Sequence, residues 1–199
     1  MKAVIFIDVQ NDFLRSGKLQ YAYPNEDNFP KILEFAETCV KDTDCRLYAT
    51  RDTHDSNYLN NTLEGKNLPV EHCIEGTYGW MLDSRLNDIL NNNVIIVNKQ
   101  TFGSYDLVKT IYEDFNETYQ YSELHHCNIK CRLKTDKKLD EIVLCGYDLG
   151  ICVISNALLL RAKFPDVKIT IKKDLCGCLN EDTFNAALTV AKCCQINVD

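Results

Sequence analysis

Residues 3–8 read AVIFID, a short run in which five apolar residues precede an aspartate. A continuous apolar run of this length, rich in β-branched residues, is typical of a strand that is covered on both faces of a sheet. Three further runs have the same character: residues 46–51 (RLYATR), 94–98 (VIIVN) and 141–146 (EIVLCG). An alternating run at residues 167–172 and a short run at 196–198 complete the set of predicted strands.

Segments with the period of an amphipathic helix separate these runs. Between residues 31 and 41, apolar residues recur on one helical face, namely Ile32, Phe35, Ala36 and Cys39. The same pattern occurs at residues 84–90, 107–115, 153–162 and 182–193. Alternating strands and helices imply βαβ units with right-handed crossovers. We therefore predict an α/β fold of three layers, α/β/α, with a mainly parallel sheet of about six strands, in a single domain spanning residues 1–199.

The composition is that of an acidic globular protein. The 199 residues are 45% hydrophobic and 26% charged, and the formal net charge is −7. A nucleic-acid partner is disfavoured, because nucleic-acid-binding proteins usually present a basic face. No run approaches the roughly 18 apolar residues of a membrane helix, and the apolar run before Asp8 is too short for a signal peptide. We therefore expect a cytoplasmic protein with reduced cysteines and a small-molecule partner.

Two stretches interrupt the alternation of strands and helices. Residues 53–80 form a long loop after the second predicted strand, and loops of more than about 15 residues inside a domain are usually functional or disordered. Residues 116–138 are polar and indicate an insertion before the fourth strand. This insertion contains four residues of metal-ligand type, His125, His126, Cys127 and Cys131. Their HHCxxxC spacing matches no common zinc pattern, so a second metal site is not favoured.

Ionisable residues follow the carboxyl ends of the first four predicted strands. They are Asp8 at the first, Asp52 and His54 at the second, Lys99 at the third and Cys152 in the turn after the fourth. Ligands of open parallel sheets bind at this edge. The pattern therefore predicts an active site at the carboxyl ends of the strands.

Cys152 follows a glycine-containing turn and opens a predicted helix. A helix N-terminus stabilises a thiolate, and a nearby Lys99 would lower the thiol pKa further. A carboxylate such as Asp8 could instead accept the thiol proton and later return it to a leaving amine. Each residue alone also fits a structural role, such as packing, capping or exposure to solvent. Only their convergence on one edge favours catalysis.

Three segments resemble the signatures of the isochorismatase-like cysteine hydrolases, in the same order and spacing. They are FIDVQNDF at residues 6–13, VNKQTFGS at 97–104 and GYDLGICV at 146–153. The resemblance covers nearly the whole chain apart from residues 116–138, and it implies a Rossmann-like topology. The roles that it implies are Asp8 as base, Lys99 as electrostatic partner and Cys152 as nucleophile.

The resemblance also implies an oxyanion hole in the turn before the nucleophile. A cis peptide bond between Tyr147 and Asp148 is expected there, with the amides of Asp148 and Cys152 as the two donors. The family's usual Thr-Asp pair is replaced here by Leu149 and Gly150. Hydrogen bonding within this turn is therefore expected to differ from the family pattern.

The long loop carries two carboxylates and two imidazoles, at Asp52, His54, Glu64 and His72. Such groups are suitable ligands for Zn, Fe or Mn, although composition alone allows the same set to occur by chance. The loop resembles the metal loop of nicotinamidases, with shared residues at Pro69, His72, Cys73, Gly76 and Thr77. This resemblance implies one divalent metal ion, with zinc favoured over iron or manganese, that holds the pyridine nitrogen of the substrate.

Phe13 and Phe102 adjoin the catalytic motifs and are interpreted as walls around a flat substrate ring. Ordinary core packing is the alternative for both. Many nicotinamidases place a tryptophan where Leu68 and Pro69 stand here. A related small amide therefore stays open as the substrate.

The implied reaction is hydrolysis of nicotinamide to nicotinate and ammonia through a cysteine thioester. Another amidase or carbamoyl hydrolase with the same catalytic residues is the first alternative, and a non-catalytic binding protein is the second. The intact set of Asp8, Lys99 and Cys152 favours an enzyme over a binding protein. A homo-oligomer is left open, because members of the family are often oligomeric.

Overall fold

The computed structural model describes residues 1–21, 23, 24, 28–116 and 138–199. Within these residues, six parallel strands form one sheet in the order β3-β2-β1-β4-β5-β6. The strands are β1 (Lys2–Ile7), β2 (Cys45–Asp52), β3 (Val94–Lys99), β4 (Glu141–Gly146), β5 (Lys168–Cys176) and β6 (Asn197–Val198). Helices cover both faces of the sheet, so the predicted fold class is confirmed.

The α-helices of the described residues connect these strands. They are α1 (Phe29–Lys41), α2 (Tyr58–Asn61), α3 (Leu63–Asn67), α4 (Ser84–Leu90), α5 (Tyr105–Asn116), α6 (Ile154–Lys163) and α7 (Glu181–Cys193). The predicted helical segments agree with α1 and α4–α7 to within two residues at each end, the usual uncertainty of a helix boundary. Among the described residues, no helix is long and apolar enough to cross a membrane.

The central strand β1 organises the sheet and the site. Its residues from Ala3 to Ile7 are almost completely buried, as the apolar run predicts. β1 pairs with β2 on one side and with β4 on the other, so the strand order reverses between β1 and β4. Ligands usually bind in the crevice at such a switch point. Asp8 follows β1 there, and the turn that carries Cys152 follows β4.

Two local predictions were wrong. The fifth strand was expected to end at residue 172, but a register shift after Leu144 allows Gly146 to pair with Cys176, and β5 continues to that residue. The long loop at residues 53–80 contains α2 and α3, which are too short to show a helical period in the sequence. The single-domain organisation stays a prediction. The predicted insertion cluster of His125, His126, Cys127 and Cys131 lies outside the described residues.

Candidate active site

The three predicted catalytic side chains meet in one buried group. The Nζ atom of Lys99 lies 2.8 Å from Oδ2 of Asp8 and 3.5 Å from Sγ of Cys152. All three residues are buried. The structure therefore brings together residues from β3, from the end of β1 and from the turn after β4, as the convergence of strand ends predicts. Their catalytic roles stay predictions.

Thr50 of β2 orients Asp8. Asp8 has a φ of 48°, in the left-handed region that aspartate tolerates better than most residues. The Thr50 Oγ1 atom accepts a hydrogen bond from the Asp8 amide at 3.1 Å and donates one to Asp8 Oδ1 at 2.6 Å. The other carboxylate oxygen is then the one that meets Lys99. Sequence reasoning missed Thr50, although the pairing of β1 with β2 places it beside Asp8.

Burial has the largest effect on the pKa values of Asp8 and Cys152. It raises the pKa of Asp8, although Lys99 and the hydrogen bond from Thr50 oppose the shift. Burial also raises the pKa of Cys152 well above its usual value, with Lys99 opposing and Asp8 adding to the shift. A resting thiol is therefore favoured over the thiolate that a helix N-terminus and a lysine suggested. The alternative, in which Asp8 accepts the thiol proton, fits the structure better.

The helix around Cys152 begins earlier than expected. Leu149–Val153 form a π-helical turn, and α6 follows at Ile154. Cys152 is thus the fourth residue of this turn and does not open the helix, so that prediction was wrong. The first residues of a helix carry most of the dipole effect, and Cys152 is still within that first turn.

The predicted oxyanion turn is held by the side chain of Asp148. The cis peptide bond between Tyr147 and Asp148 is present. The Asp148 carboxylate accepts hydrogen bonds from the amides of Gly150 and Leu179 and from the thiol of Cys178. Within the described residues, the backbone amide of Asp148 donates to no other group. That amide is thus available to a substrate oxygen, and the oxyanion roles of Asp148 and Cys152 stay predictions.

Gly146 allows the turn to approach the central strand. Its φ is 122°, and a Cβ atom at this position would overlap the carbonyl oxygen of Ile7. Only glycine combines this backbone conformation with such a close approach. Gly146 therefore sets the distance between the end of β4 and the end of β1, where Asp8 lies.

The four predicted metal ligands form a cluster beside the buried group of Asp8, Lys99 and Cys152. Oδ2 of Asp52 lies 3.0 Å from Nε2 of His54 and 3.4 Å from Nε2 of His72. Oε1 of Glu64 lies 3.7 Å from both imidazole nitrogens. One ligand atom from each residue lies within 4.8 Å of the others. Two imidazoles and two carboxylates facing one point fit a zinc, iron or manganese ion.

Lys99 joins the two clusters through Asp52. The Asp52 Oδ1 atom lies 3.2 Å from Lys99 Nζ, while Oδ2 faces the histidines. Burial opposes ionisation of Asp52, but Lys99 and the histidine hydrogen bonds outweigh it and hold the pKa well below its usual value. Burial favours neutral His72, but hydrogen bonds to Asp52 and Glu64 raise its pKa to about 9. The negative charge of the carboxylates thus favours a cation at this cluster.

Gln10 anchors the end of β2 and was missed by sequence reasoning. Its side chain accepts a hydrogen bond from the Asp52 amide at 2.7 Å and donates one to the Asp52 carbonyl at 2.8 Å. The same amide group donates to the Trp80 carbonyl at 2.8 Å. Gln10 lies in the FIDVQNDF motif, and its place in that signature is the signal that could have found it.

The two predicted ring walls differ in their surroundings. The ring of Phe13 is buried and its centroid lies 5.7 Å from that of His72. Phe102 is 42% exposed, and its role as a wall stays a prediction. Sequence reasoning missed Tyr21, whose ring centroid lies 5.3 Å from that of Phe13. Burial raises the pKa of Tyr21, and its proximity to Cys152 and Asp148 adds to the shift.

A cavity of about 420 Å³ adjoins this region. Phe13, Tyr21 and Tyr147 belong to its walls, together with loop residues that follow Asn11. Among the described residues, its walls include neither Cys152 nor the metal-ligand cluster. Phe13 therefore lines this open space and also lies against His72 of the metal-ligand cluster.

Comparison with known families identifies the architecture. A family model described as the Isochorismatase domain matches residues 2–198. The chain belongs to the isochorismatase family. This assignment confirms the predicted resemblance and the prediction of an isochorismatase-like hydrolase. The family match also includes the three segments that carry Asp8, Lys99 and Cys152.

Similar proteins in this family include nicotinamidases. A nicotinamidase of Saccharomyces cerevisiae is 23% identical over 229 residues, covering 100% of this chain and 99% of the relative. The structure of a nicotinamidase/pyrazinamidase from Bacillus subtilis matches with a TM-score of 0.76 at 23% identity, covering 99% of this chain and 98% of that one. A Pyrococcus horikoshii pyrazinamidase in complex with zinc matches with a TM-score of 0.75 at 19% identity, covering 100% and 98%. These structural matches show the isochorismatase-family fold along the full chain.

Proposed function

We propose that this protein is a nicotinamidase, which hydrolyses nicotinamide to nicotinate and ammonia. The observation that carries the proposal is the position of Lys99 Nζ, which contacts Asp8, Cys152 and Asp52 at once. A nucleophile with its base therefore lies directly beside a cluster suited to a metal ion. The proteins named nicotinamidase that this chain resembles in yeast and Bacillus subtilis support the same substrate.

Acylation begins with proton transfer inside the buried group. Asp8 takes the proton of the Cys152 thiol, and the sulfur attacks the amide carbon of the substrate. Lys99 stabilises the negative charge on this pair throughout, because its ammonium group contacts both. The amides of Asp148 and Cys152 donate to the tetrahedral oxygen, an effect worth about 3–4 kcal/mol for each good donor.

Release of ammonia and hydrolysis use the same carboxyl group. Asp8 gives its proton to the departing nitrogen as the carbon–nitrogen bond breaks, which leaves a thioester on Cys152. Asp8 then takes a proton from water, whose oxygen attacks the thioester carbon. The thiolate leaves and recovers its proton from Asp8. The raised pKa of Asp8 suits both proton transfers, since a base works best when its pKa approaches the operating pH.

Four residues would hold a divalent metal ion, for which we propose zinc: Asp52, His54, Glu64 and His72. A bound ion would supply Lewis-acid chemistry suited to the ring nitrogen of the substrate. The choice of zinc rests on the donor chemistry and on the zinc complex of the Pyrococcus horikoshii relative. Phe13 lies beside His72 and offers an apolar face to the ring, which helps to point the carboxamide at Cys152.

Ammonia release from nicotinamide and benzamide tests the proposal. The two amides differ only in the ring nitrogen, so benzamide is a matched control for the metal cluster. We expect a higher kcat/KM for nicotinamide in the zinc-loaded protein, and we expect chelation to remove this preference. If the protein hydrolyses other small amides but not nicotinamide, it is a different amidase of the family.

A further inference from the structure

Tyr58, the first residue of α2, contacts both histidines of the metal-ligand cluster and is almost completely buried. We propose that Tyr58 is a positioning residue for the metal site: its ring orients His54, its hydroxyl orients His72, and its carbonyl supports the helix that carries Glu64. This inference rests on the metal site of the proposed function. Three independent contacts of one side chain and its backbone support it.

The first contact is a stack of rings. The ring of Tyr58 lies parallel to the imidazole of His54, with centroids 4.0 Å apart and an interplanar angle of 13°. His54 Nε2 points at the Asp52 carboxylate, 3.0 Å away. Because the stack limits rotation of the imidazole, it keeps Nε2 directed at the cluster.

The second contact is a set of hydrogen bonds around His72. The Tyr58 hydroxyl donates to the Val70 carbonyl at 2.6 Å and accepts from the His72 backbone amide at 3.3 Å. His72 Nδ1 lies 2.9 Å from the same hydroxyl and 2.8 Å from the Val70 carbonyl. A hydrogen on Nδ1 satisfies both acceptors and leaves the lone pair on Nε2, the atom that faces Asp52 and Glu64. Such outer contacts commonly fix the tautomer and orientation of a metal-binding histidine.

The third contact runs through the backbone. The Tyr58 carbonyl accepts hydrogen bonds from the Thr62 amide at 3.0 Å and from the Thr62 hydroxyl at 2.9 Å. The Thr62 hydroxyl in turn caps α3 by accepting from the Gly65 amide at 3.0 Å. Glu64 lies in the first turn of α3. The position of the Glu64 carboxylate therefore depends on the place where α2 ends.

Tyr48 provides a matched control. It is another fully buried tyrosine, and its hydroxyl donates to Asp114 Oδ2 at 2.7 Å, away from the metal-ligand cluster. Tyr58→Phe and Tyr48→Phe each remove one buried hydroxyl and keep the ring. Loss of stability alone would affect both variants, whereas loss of metal positioning would affect only the first.

The test measures zinc binding to metal-free full-length protein by competition with a chromophoric chelator. We expect Tyr58→Phe to weaken zinc binding by about tenfold or more, the usual effect of removing an outer contact of a metal ligand. Tyr48→Phe should bind zinc within about twofold of the wild type. Equal affinities for Tyr58→Phe and wild type would overturn the inference, as would equal losses in both variants.

A spectroscopic measurement separates positioning from general loosening. In cobalt-substituted protein, the visible absorption bands report the geometry of the ligands around the ion. We expect these bands to shift in Tyr58→Phe and more strongly in Tyr58→Leu, which also loses the stack on His54. They should be unchanged in Tyr48→Phe. Where Tyr58→Leu does not fold, the isosteric Tyr58→Phe decides the outcome.

The proposed function and this inference can fail separately. Suppose that Tyr58→Phe binds zinc more weakly but the wild type releases no ammonia from nicotinamide. The role of Tyr58 would then be supported, and nicotinamide would be excluded as the substrate. Suppose instead that the wild type binds zinc and hydrolyses nicotinamide, and that Tyr58→Phe binds zinc equally well. The proposed function would then stand, and the role of Tyr58 would be contradicted.

Discussion

The catalytic group and the metal-ligand cluster share Lys99 as a neighbour, but the protein positions them by different means. Lys99 ends β3 and Asp8 directly follows β1, so the hydrogen bonds of the sheet hold their part of the backbone, and Cys152 lies in the turn that follows β4. Of the four metal-ligand candidates, only Asp52 ends a strand. The other three lie in residues 53–80 and depend on two short helices and on side-chain contacts.

This difference has a consequence for stability. Helices of four and five residues, such as α2 and α3, are not stable by themselves, because helix nucleation is unfavourable. In contrast, the strand β1 that leads to Asp8 pairs along its length with the largely buried strands β2 and β4. We therefore expect the catalytic group to keep its arrangement when the metal is removed, whereas the metal loop becomes less stable.

The largest expected effect concerns the nucleophile. Cys152→Ala removes the sulfur that forms the thioester in the proposed mechanism, so kcat for nicotinamide should fall by at least about 10⁴-fold. Steady-state ammonia release measures the loss. Cys193→Ala, at an exposed cysteine, should keep wild-type activity. Comparable activity in Cys152→Ala and wild type would exclude the proposed mechanism.

The next effect separates the base from the metal. Asp8→Asn keeps the shape of the side chain but cannot accept the thiol proton, so kcat should fall by about 10²–10⁴-fold. Asp8 contacts Lys99 and Thr50 and none of the metal-ligand candidates directly, so zinc stoichiometry should stay unchanged. Loss of zinc from Asp8→Asn would show that the two clusters are not separate units.

Metal removal should affect the loop more than the sheet. Zinc at about 1,000 times its Kd should raise the free energy of unfolding by about 4 kcal/mol, because it binds only the folded protein. Denaturant unfolding with and without zinc measures this gain. His72→Ala should lose most of it, whereas Asp8→Asn should keep it. An equal gain in both variants would argue against His72 as a ligand.

The smallest expected effect is a difference in stability between alanine substitutions at two glycines, one in each region. Gly146 and Gly76 both have positive φ, but only at Gly146 would a Cβ atom meet backbone, whereas it would meet open space at Gly76. Gly76→Ala should cost about 1–2 kcal/mol from the backbone alone. Gly146→Ala should cost about 1–3 kcal/mol more from the added contact and should lower kcat. Equal costs in thermal or denaturant unfolding would contradict the close approach of β4 to β1.

The catalytic group could be predicted from the sequence because strand ends in a parallel sheet meet at one edge. Lys99 and Asp8 were placed correctly by this rule alone, and the resemblance to the family added their roles. Thr50 and Gln10 were missed because their contacts depend on the register between β1 and β2, which apolar runs do not reveal.

The metal loop was harder to predict in physical terms. Its four ligand candidates were recognised by residue type and by resemblance, but α2 and α3 are too short to give a periodic pattern. The proposed role of Tyr58 depends on hydrogen bonds between its hydroxyl and the backbone of Val70 and His72. These contacts depend on the path of an irregular segment, which the sequence does not reveal. The π-helical turn at Leu149–Val153 was likewise invisible, because its sequence resembles the start of an ordinary helix.

Mass spectrometry of acid-quenched turnover mixtures tests most directly whether Cys152 forms a thioester with the acyl group of nicotinamide. The peptide that contains Cys152 should carry a nicotinoyl group during turnover and lose it when the substrate is exhausted. Full turnover with Cys152 unmodified at every time point, or a nicotinoyl group on another residue, would contradict the account.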